Sequence, residues 1–159
     1  MMRKPFIILL LAGFLAGCVT QGSYGRYGNF IETLPAAYSA RMVDDTVDRL
    51  SALYPPAKTR FTLQQQPVDP FGKALVEKLR EKGYAVIEPV IQPGQTQQTQ
   101  GKVSEVPQPV HGADLRYVVD QLGPSQYLVT MQVGNQSISR AYRAAANSLT
   151  PDGYWARKE

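Results

Sequence analysis

Cys18 is the one cysteine in this 159-residue chain, and it closes the run Leu15-Ala16-Gly17-Cys18. Small residues ahead of a lone thiol form a lipobox. The thiol can take a diacylglycerol as a thioether, and cleavage before it frees the cysteine amine for a further acyl chain. Arg3 and Lys4, an apolar stretch from Pro5 to Phe14 and then small residues give the three-part layout of a secretory leader. A spanning helix needs about 20 apolar residues and this stretch has roughly half. A removable leader over residues 1–17 is therefore expected rather than a transmembrane anchor. One buried acyl chain, at about 0.8 kcal/mol per methylene, holds a protein marginally, and two hold it stably. Val19 follows the cysteine where an aspartate would favour inner-membrane retention in enteric-type bacteria, so the expected destination is the outer membrane, with the domain facing the periplasm. The alternative is a plain secretory leader in which Cys18 is an incidental small residue.

Other reactive groups offer little. His111 is the only histidine and borders a polar stretch, where it reads as solvated. Common metal sites need several His or Cys ligands, so neither metal nor cofactor is expected. No Gly-x-Ser-x-Gly elbow presents a nucleophile, and no glycine-rich loop with a lysine joins a strand to a helix. Asp44 and Asp45, adjacent on a helix, cannot face each other as an acid–base pair. Neither an enzyme nor a small-molecule substrate is indicated. The formal charge is +4. Loss of Arg3 and Lys4 would leave fifteen Lys and Arg against thirteen Asp and Glu, about +2, with the two signs interleaved. No direct contact with nucleic acid is expected from such a distribution. A single cysteine forms no intrachain disulfide, so packing must hold the fold.

The elements that would do so make one small α+β domain. Residues 18–37, rich in Gly, Tyr, Ser and Asn, have no period and read as a flexible lipidated tether. Alternatively, Tyr24, Tyr27 and Phe30 are aromatic anchors that order on a partner. Over residues 39–54, Met42, Val43, Val47, Leu50 and Leu53 form one stripe, while Asp44, Asp45, Asp48 and Arg49 face away. Pro55 and Pro56 stop that helix, and residues 59–63 alternate as a strand. Asp69 as N-cap, Pro70 at the first helical position and Gly83 as stop bracket a second helix built on Phe71, Leu75 and Leu79. Its Lys and Glu residues read as a solvated face.

Residues 84–88 are read as a strand, and residues 92–110, a Gln- and Pro-rich run, as a long disordered loop. The other possibility for that loop is an extended strand added to a neighbour. Residues 115–122, 126–133 and 138–143 read as an antiparallel meander, its second turn made by Gly134-Asn135. The third strand carries Ile138, Arg140 and Tyr142 on one side, a mixed face expected at a sheet edge. Two amphipathic helices on a four- to five-stranded, largely antiparallel sheet are thus predicted over residues 38–147. A C-terminal tail over residues 148–159 follows, with Trp155 as a packing or docking residue.

The chain resembles the TrbH family of conjugal transfer proteins. The resemblance rests on the lipobox, on Tyr27-Gly28-Asn29-Phe30, and on Asp45-Thr46-Val47 leading to Leu53-Tyr54-Pro55-Pro56-Ala57 and Thr59-Arg60-Phe61. Asp69-Pro70-Phe71-Gly72 leading to Leu79-Arg80-Glu81-Lys82-Gly83-Tyr84-Ala85 completes it. It implies a structural lipoprotein of a type IV secretion, or mating-pair-formation, apparatus, placed with the other core-complex subunits in its outer-membrane part. Only Cys18 carries over with a defined chemical role. The alternative from another class is a periplasmic lipoprotein that binds or remodels the cell wall.

Overall fold

A computed structural model describes residues 27–89 and 112–159. The order of elements is β1 (Gly28–Asn29), α1 (Ala36–Leu53), β2 (Arg60–Leu63), α2 (Pro70–Glu81), β3 (Ala85–Ile87), β4 (Ala113–Gly123), β5 (Gln126–Val133), β6 (Gln136–Ala145), β7 (Ser148–Pro151) and β8 (Ala156–Lys158).

Local chemistry explains both helix ends of α2. The Asp69 side chain accepts from the Gly72 amide at 3.0 Å, relieving one of the unpaired donors of the first turn, and Pro70 occupies the position that needs no donor. At the far end Gly83, at φ 89°, donates to the Arg80 carbonyl at 2.9 Å, and Tyr84 donates to the Leu79 carbonyl at 3.0 Å. Those two bonds close a Schellman motif, which needs the left-handed conformation that glycine adopts without strain. The α1 helix begins at Ala36 behind Pro35, with no side-chain cap, and ends at Leu53 ahead of the two prolines.

Eight strands among the described residues form one sheet with the main order β3-β2-β4-β5-β6-β7. Its two halves differ in kind. From β4 to β8 every pairing is antiparallel, whereas β1 with β4, β2 with β4 and β2 with β3 run parallel. The parallel β2–β3 pair follows from the β2-α2-β3 order, because a helical crossover returns the chain in the same direction. The sheet is mostly antiparallel and carries two helices, as expected, but it has eight strands among the described residues rather than four or five, and its N-terminal strands add a parallel part.

Alternation along the strands assigns the faces. Leu115, Tyr117 and Val119 of β4 and Tyr127, Val129, Met131 and Val133 of β5 point to the helices and are buried with Phe61, Leu63 and Ile138. Met42, Val47 and Leu50 of α1 and Phe71, Leu75 and Leu79 of α2 meet them from above, all fully buried. Burial at this level contributes about 1.5–3 kcal/mol for each large apolar side chain. Ion pairs Lys78–Asp44 at 3.1 Å and Lys82–Asp48 at 3.0 Å step along both helices together, so α1 and α2 run in the same direction. The first pair holds the exposed Lys78 ammonium above the usual lysine range, chiefly through the Asp44 hydrogen bond and charge.

Three further expectations change. Gly28–Asn29 pairs with Val118–Val119 and Ile31 enters the core, so the tether expected over residues 18–37 gives way to domain from Tyr27 onward. Residues expected as a tail form β7 and β8, both paired with β6, and β6 is consequently an interior strand rather than an edge. The ordered domain thus extends beyond the predicted bounds of 38–147 on both sides. The Gly134 turn does form as predicted: Gly134 has φ 57°, and Asn135 is outside the positive region. Ala146 and Asn147, at φ 45° and 67°, make the tight turn between β6 and β7.

Candidate docking surfaces

The aromatic residues singled out by sequence separate into different environments. Tyr27 lies on the sheet face opposite the helices. Its hydroxyl donates to Gln132 Oε1 at 3.0 Å, and the Arg116 guanidinium is 5.4 Å from its ring centroid. Arg116 and Gln132 are paired across β4 and β5, so the ring clips the first strand onto that face. Phe30 is held by its backbone, the amide donating to the Val119 carbonyl at 2.9 Å, but its ring is 52% exposed. Trp155 packs against the core, with the Arg140 guanidinium 5.9 Å from its ring. The structure brings these three into one domain without gathering them into one patch. Cys18, Tyr24 and His111, and the whole Gln- and Pro-rich run over residues 92–110, lie outside the described residues.

Sequence reasoning missed the polar junction behind Trp155. Asp45 was expected to face away from the core, but it turns toward β6. Its two oxygens accept from Arg140 Nη1 at 2.9 and 3.0 Å, and Oδ2 also accepts from the Tyr142 hydroxyl at 2.7 Å. Arg140 Nε donates to the Gly153 carbonyl at 3.2 Å. One guanidinium therefore ties α1, β6 and the turn before β8 together. Both charged side chains are about one-fifth exposed, 19% and 21%, so their attraction is screened less than at the surface while their desolvation is incomplete. The signal in the sequence was Arg140 itself. A cation between the inward-facing Ile138 and Tyr142 needs a carboxylate from the facing layer.

A second junction underlies the Asp69-Pro70-Phe71-Gly72 motif. While Asp69 Oδ1 caps the helix, Oδ2 accepts from the Tyr117 hydroxyl. Phe71 packs on the Tyr117 ring with centroids 5.3 Å apart, and Gln65 exchanges hydrogen bonds with the Tyr117 backbone. Gly72 is required by space: a Cβ there would lie 2.0 Å from the Tyr117 hydroxyl oxygen. Burial, followed by the carboxylate partner, pushes both phenols, Tyr117 and Tyr142, far above the ordinary tyrosine range. At neutral pH these groups are fixed neutral donors. Their chemistry is cohesion, not proton transfer.

The remaining surface is mixed. A depression of about 590 Å³ beside α2 is lined by Lys73, Val76, Glu77, Arg80 and Glu88 among others, and Arg80 there pairs with Glu88 at 2.6 Å. Among the described residues no group of three or more His, Cys, Asp or Glu is placed to hold a metal, and no helix is long and apolar enough to cross a membrane.

Fold and surface together define a two-layer α+β domain in which half-buried carboxylates bind its own buried phenols and a guanidinium, with Phe30 and Tyr154 left in solvent. The family model for the conjugal transfer protein TrbH matches residues 24–159. The chain belongs to the TrbH family, a family of conjugal transfer components rather than of enzymes. Neither a curated protein nor a solved structure matches it.

Proposed function

We propose that this protein is a structural lipoprotein of a conjugative type IV secretion channel. In this reading it is acylated at Cys18, anchored in the outer membrane and turned toward the periplasm, where it stabilises the outer-membrane part of the mating-pair-formation complex through contacts with other core subunits. The observation that carries the reading is the family match over residues 24–159, which supports a role in plasmid transfer. Two physical arguments add to it. The lipobox supplies an anchor, and the clip formed by Tyr27 on Arg116 and Gln132 places the end of the tether firmly on the domain. Nine residue steps from Cys18 to Tyr27 reach at most about 30 Å, which would confine the domain to the membrane-proximal zone of such a channel.

The test is deletion with complementation. Cells lacking the protein should lose transfer and channel assembly, and the wild-type gene should restore both. Normal assembly and transfer in the deletion strain would overturn the structural role. Labelled palmitate entering the wild type but not Cys18→Ser, with the protein in the outer-membrane fraction, tests the anchor.

A further inference from the structure

The two ends of the sheet are finished differently. At β3, Arg80 lies across the strand, donating to the Val86 carbonyl at 3.4 Å and pairing with Glu88. At the other end β8 pairs with β6 on one side only, all three of its residues are exposed, and among the described residues no side chain takes up its backbone groups. The strand is short and carries Arg157 and Lys158, features that discourage indiscriminate pairing, so a strand added to its free edge must bring complementary charge.

Tyr154 stands just before that edge and is 96% exposed. Its backbone is nevertheless fixed. Gly153 turns at φ 106°, its carbonyl accepts from Arg140, and the Asp152 amide donates to the Ala141 carbonyl at 2.8 Å. The Asp152 carboxylate pairs with Arg143 at 2.7 Å, and Trp155 packs on the core on the other side. A large aromatic in solvent on a pinned turn is a preorganised anchor, since little ordering remains to be lost on contact.

We infer that the edge of β8 is a docking site for an extended acidic segment of another protein, which adds as a strand while Tyr154 enters an apolar recess beside it. Charge decides the occupant. A second copy pairing β8 antiparallel with β8 about its centre would set Arg157 directly against the other Arg157, with Lys158 close by on both strands, and like charges across paired strands are destabilising. Arg157 reaches only the exposed Glu159, at 2.9 Å, and Lys158 forms no ion pair among the described residues. Backbone pairing supplies affinity in this mode, and side chains at alternate positions supply selectivity. The inference rests on the proposed role within a larger complex.

Fluorescence anisotropy with the full chain and two labelled peptides, one alternating Glu and Val and one alternating Lys and Val, tests the edge directly. The acidic peptide binds and the basic one does not; Tyr154→Ala and Lys158→Glu each weaken binding about tenfold, equivalent to 1.4 kcal/mol. Both positions are exposed, so unchanged circular dichroism confirms folding. Equal binding of the peptides, no binding, or indifference to the substitutions overturns the inference, as does a β8-dependent dimer on gel filtration. A photo-crosslinking residue at position 154 in mating cells should react with an acidic stretch of another transfer protein. A strain that needs the gene for transfer, yet transfers normally with Tyr154→Ala plus Lys158→Glu, refutes the docking site and leaves the structural role standing.

Discussion

Gly72→Ala adds a single methyl group at the most crowded point of the Asp69–Tyr117 junction. On ordinary helix propensity the change should stabilise by up to about 1 kcal/mol, because glycine loses more backbone freedom than alanine. The geometry reverses the sign. The new Cβ would lie 2.0 Å from the Tyr117 hydroxyl oxygen, 2.9 Å from its Cζ and 2.9 Å from the Pro67 Cα. Tyr117 is fully buried with its ring tilted against Phe71, and the Pro67 contact is a backbone atom, so neither yields cheaply. Overpacking of this kind costs about 1–3 kcal/mol. Displacing the phenol from the Asp69 carboxylate forfeits a charge-assisted hydrogen bond of about 1.5–3 kcal/mol. The net expectation is a loss of about 2–4 kcal/mol, which at about 4 °C per kcal/mol lowers the melting temperature by roughly 8–16 °C. Thermal melts followed by circular dichroism measure this on the domain. A double-mutant cycle with Tyr117→Phe isolates the cause: removing the oxygen eliminates the shortest contact and leaves Cζ and Pro67, so Gly72→Ala should cost only about 1–2 kcal/mol in that background. A melting temperature for Gly72→Ala at or above wild type, or strictly additive effects in the cycle, would refute the reasoning.

Further expectations concern other junctions. Asp45→Asn leaves Arg140 without its counter-charge and should cost about 1–3 kcal/mol, less than the 3–5 of a dry ion pair because the site is part-exposed; urea unfolding measures it, and a change below 0.5 kcal/mol would show the junction to be ornamental. Above about pH 10 the unfolded chain ionises its tyrosines while Tyr117 and Tyr142, raised by burial, keep their protons. Stability from these two groups is therefore intact below pH 10 and falls above it by about 1.4 kcal/mol per pH unit for each; melts across that range, compared with Tyr142→Phe, check the slope. Tyr27→Phe removes only the hydroxyl bonded to Gln132 and should cost about 0.5–1.5 kcal/mol, read as faster hydrogen exchange confined to β1 and its partner on β4. Cys18→Ser should leave the melting temperature of the domain unchanged while moving the protein out of the membrane fraction.

Helices and the meander were legible because their rules are local. Asp69, Pro70 and Gly83 mark both ends of α2 through backbone groups only a few positions away, and the alternation of Tyr127, Val129, Met131 and Val133 reports one buried face. What escaped depends on distance along the chain. A two-residue strand with a glycine has no period, so β1 becomes visible only against β4. The partners Asp45 and Arg140 are 95 positions apart, and the helical stripe alone gives no reason for a carboxylate at its margin to turn inward. The tail has too few apolar residues to show a strand period: β7 is held by its pairing with β6 and by the single buried Leu149, and β8 by its pairing with β6. In the sequence Tyr154 stands beside Trp155 in a polar tail with nothing to assign it a separate role, since its exposure is decided by the turn at Gly153.

The position of β4 has a consequence in time. Gly28 near the start of the described chain pairs with Val118, 90 positions later, and β2 rests on the same strand at Ala113–Leu115. A chain delivered from its N-terminus therefore presents β1, β2 and both helices before the strand on which they assemble. Loop-closure entropy must be met across that whole span before the contacts repay it. The first half should thus lack a stable fold until β4 is present, with the domain closing as one late event. Truncation ahead of Ala113 should accordingly yield not half a domain but none.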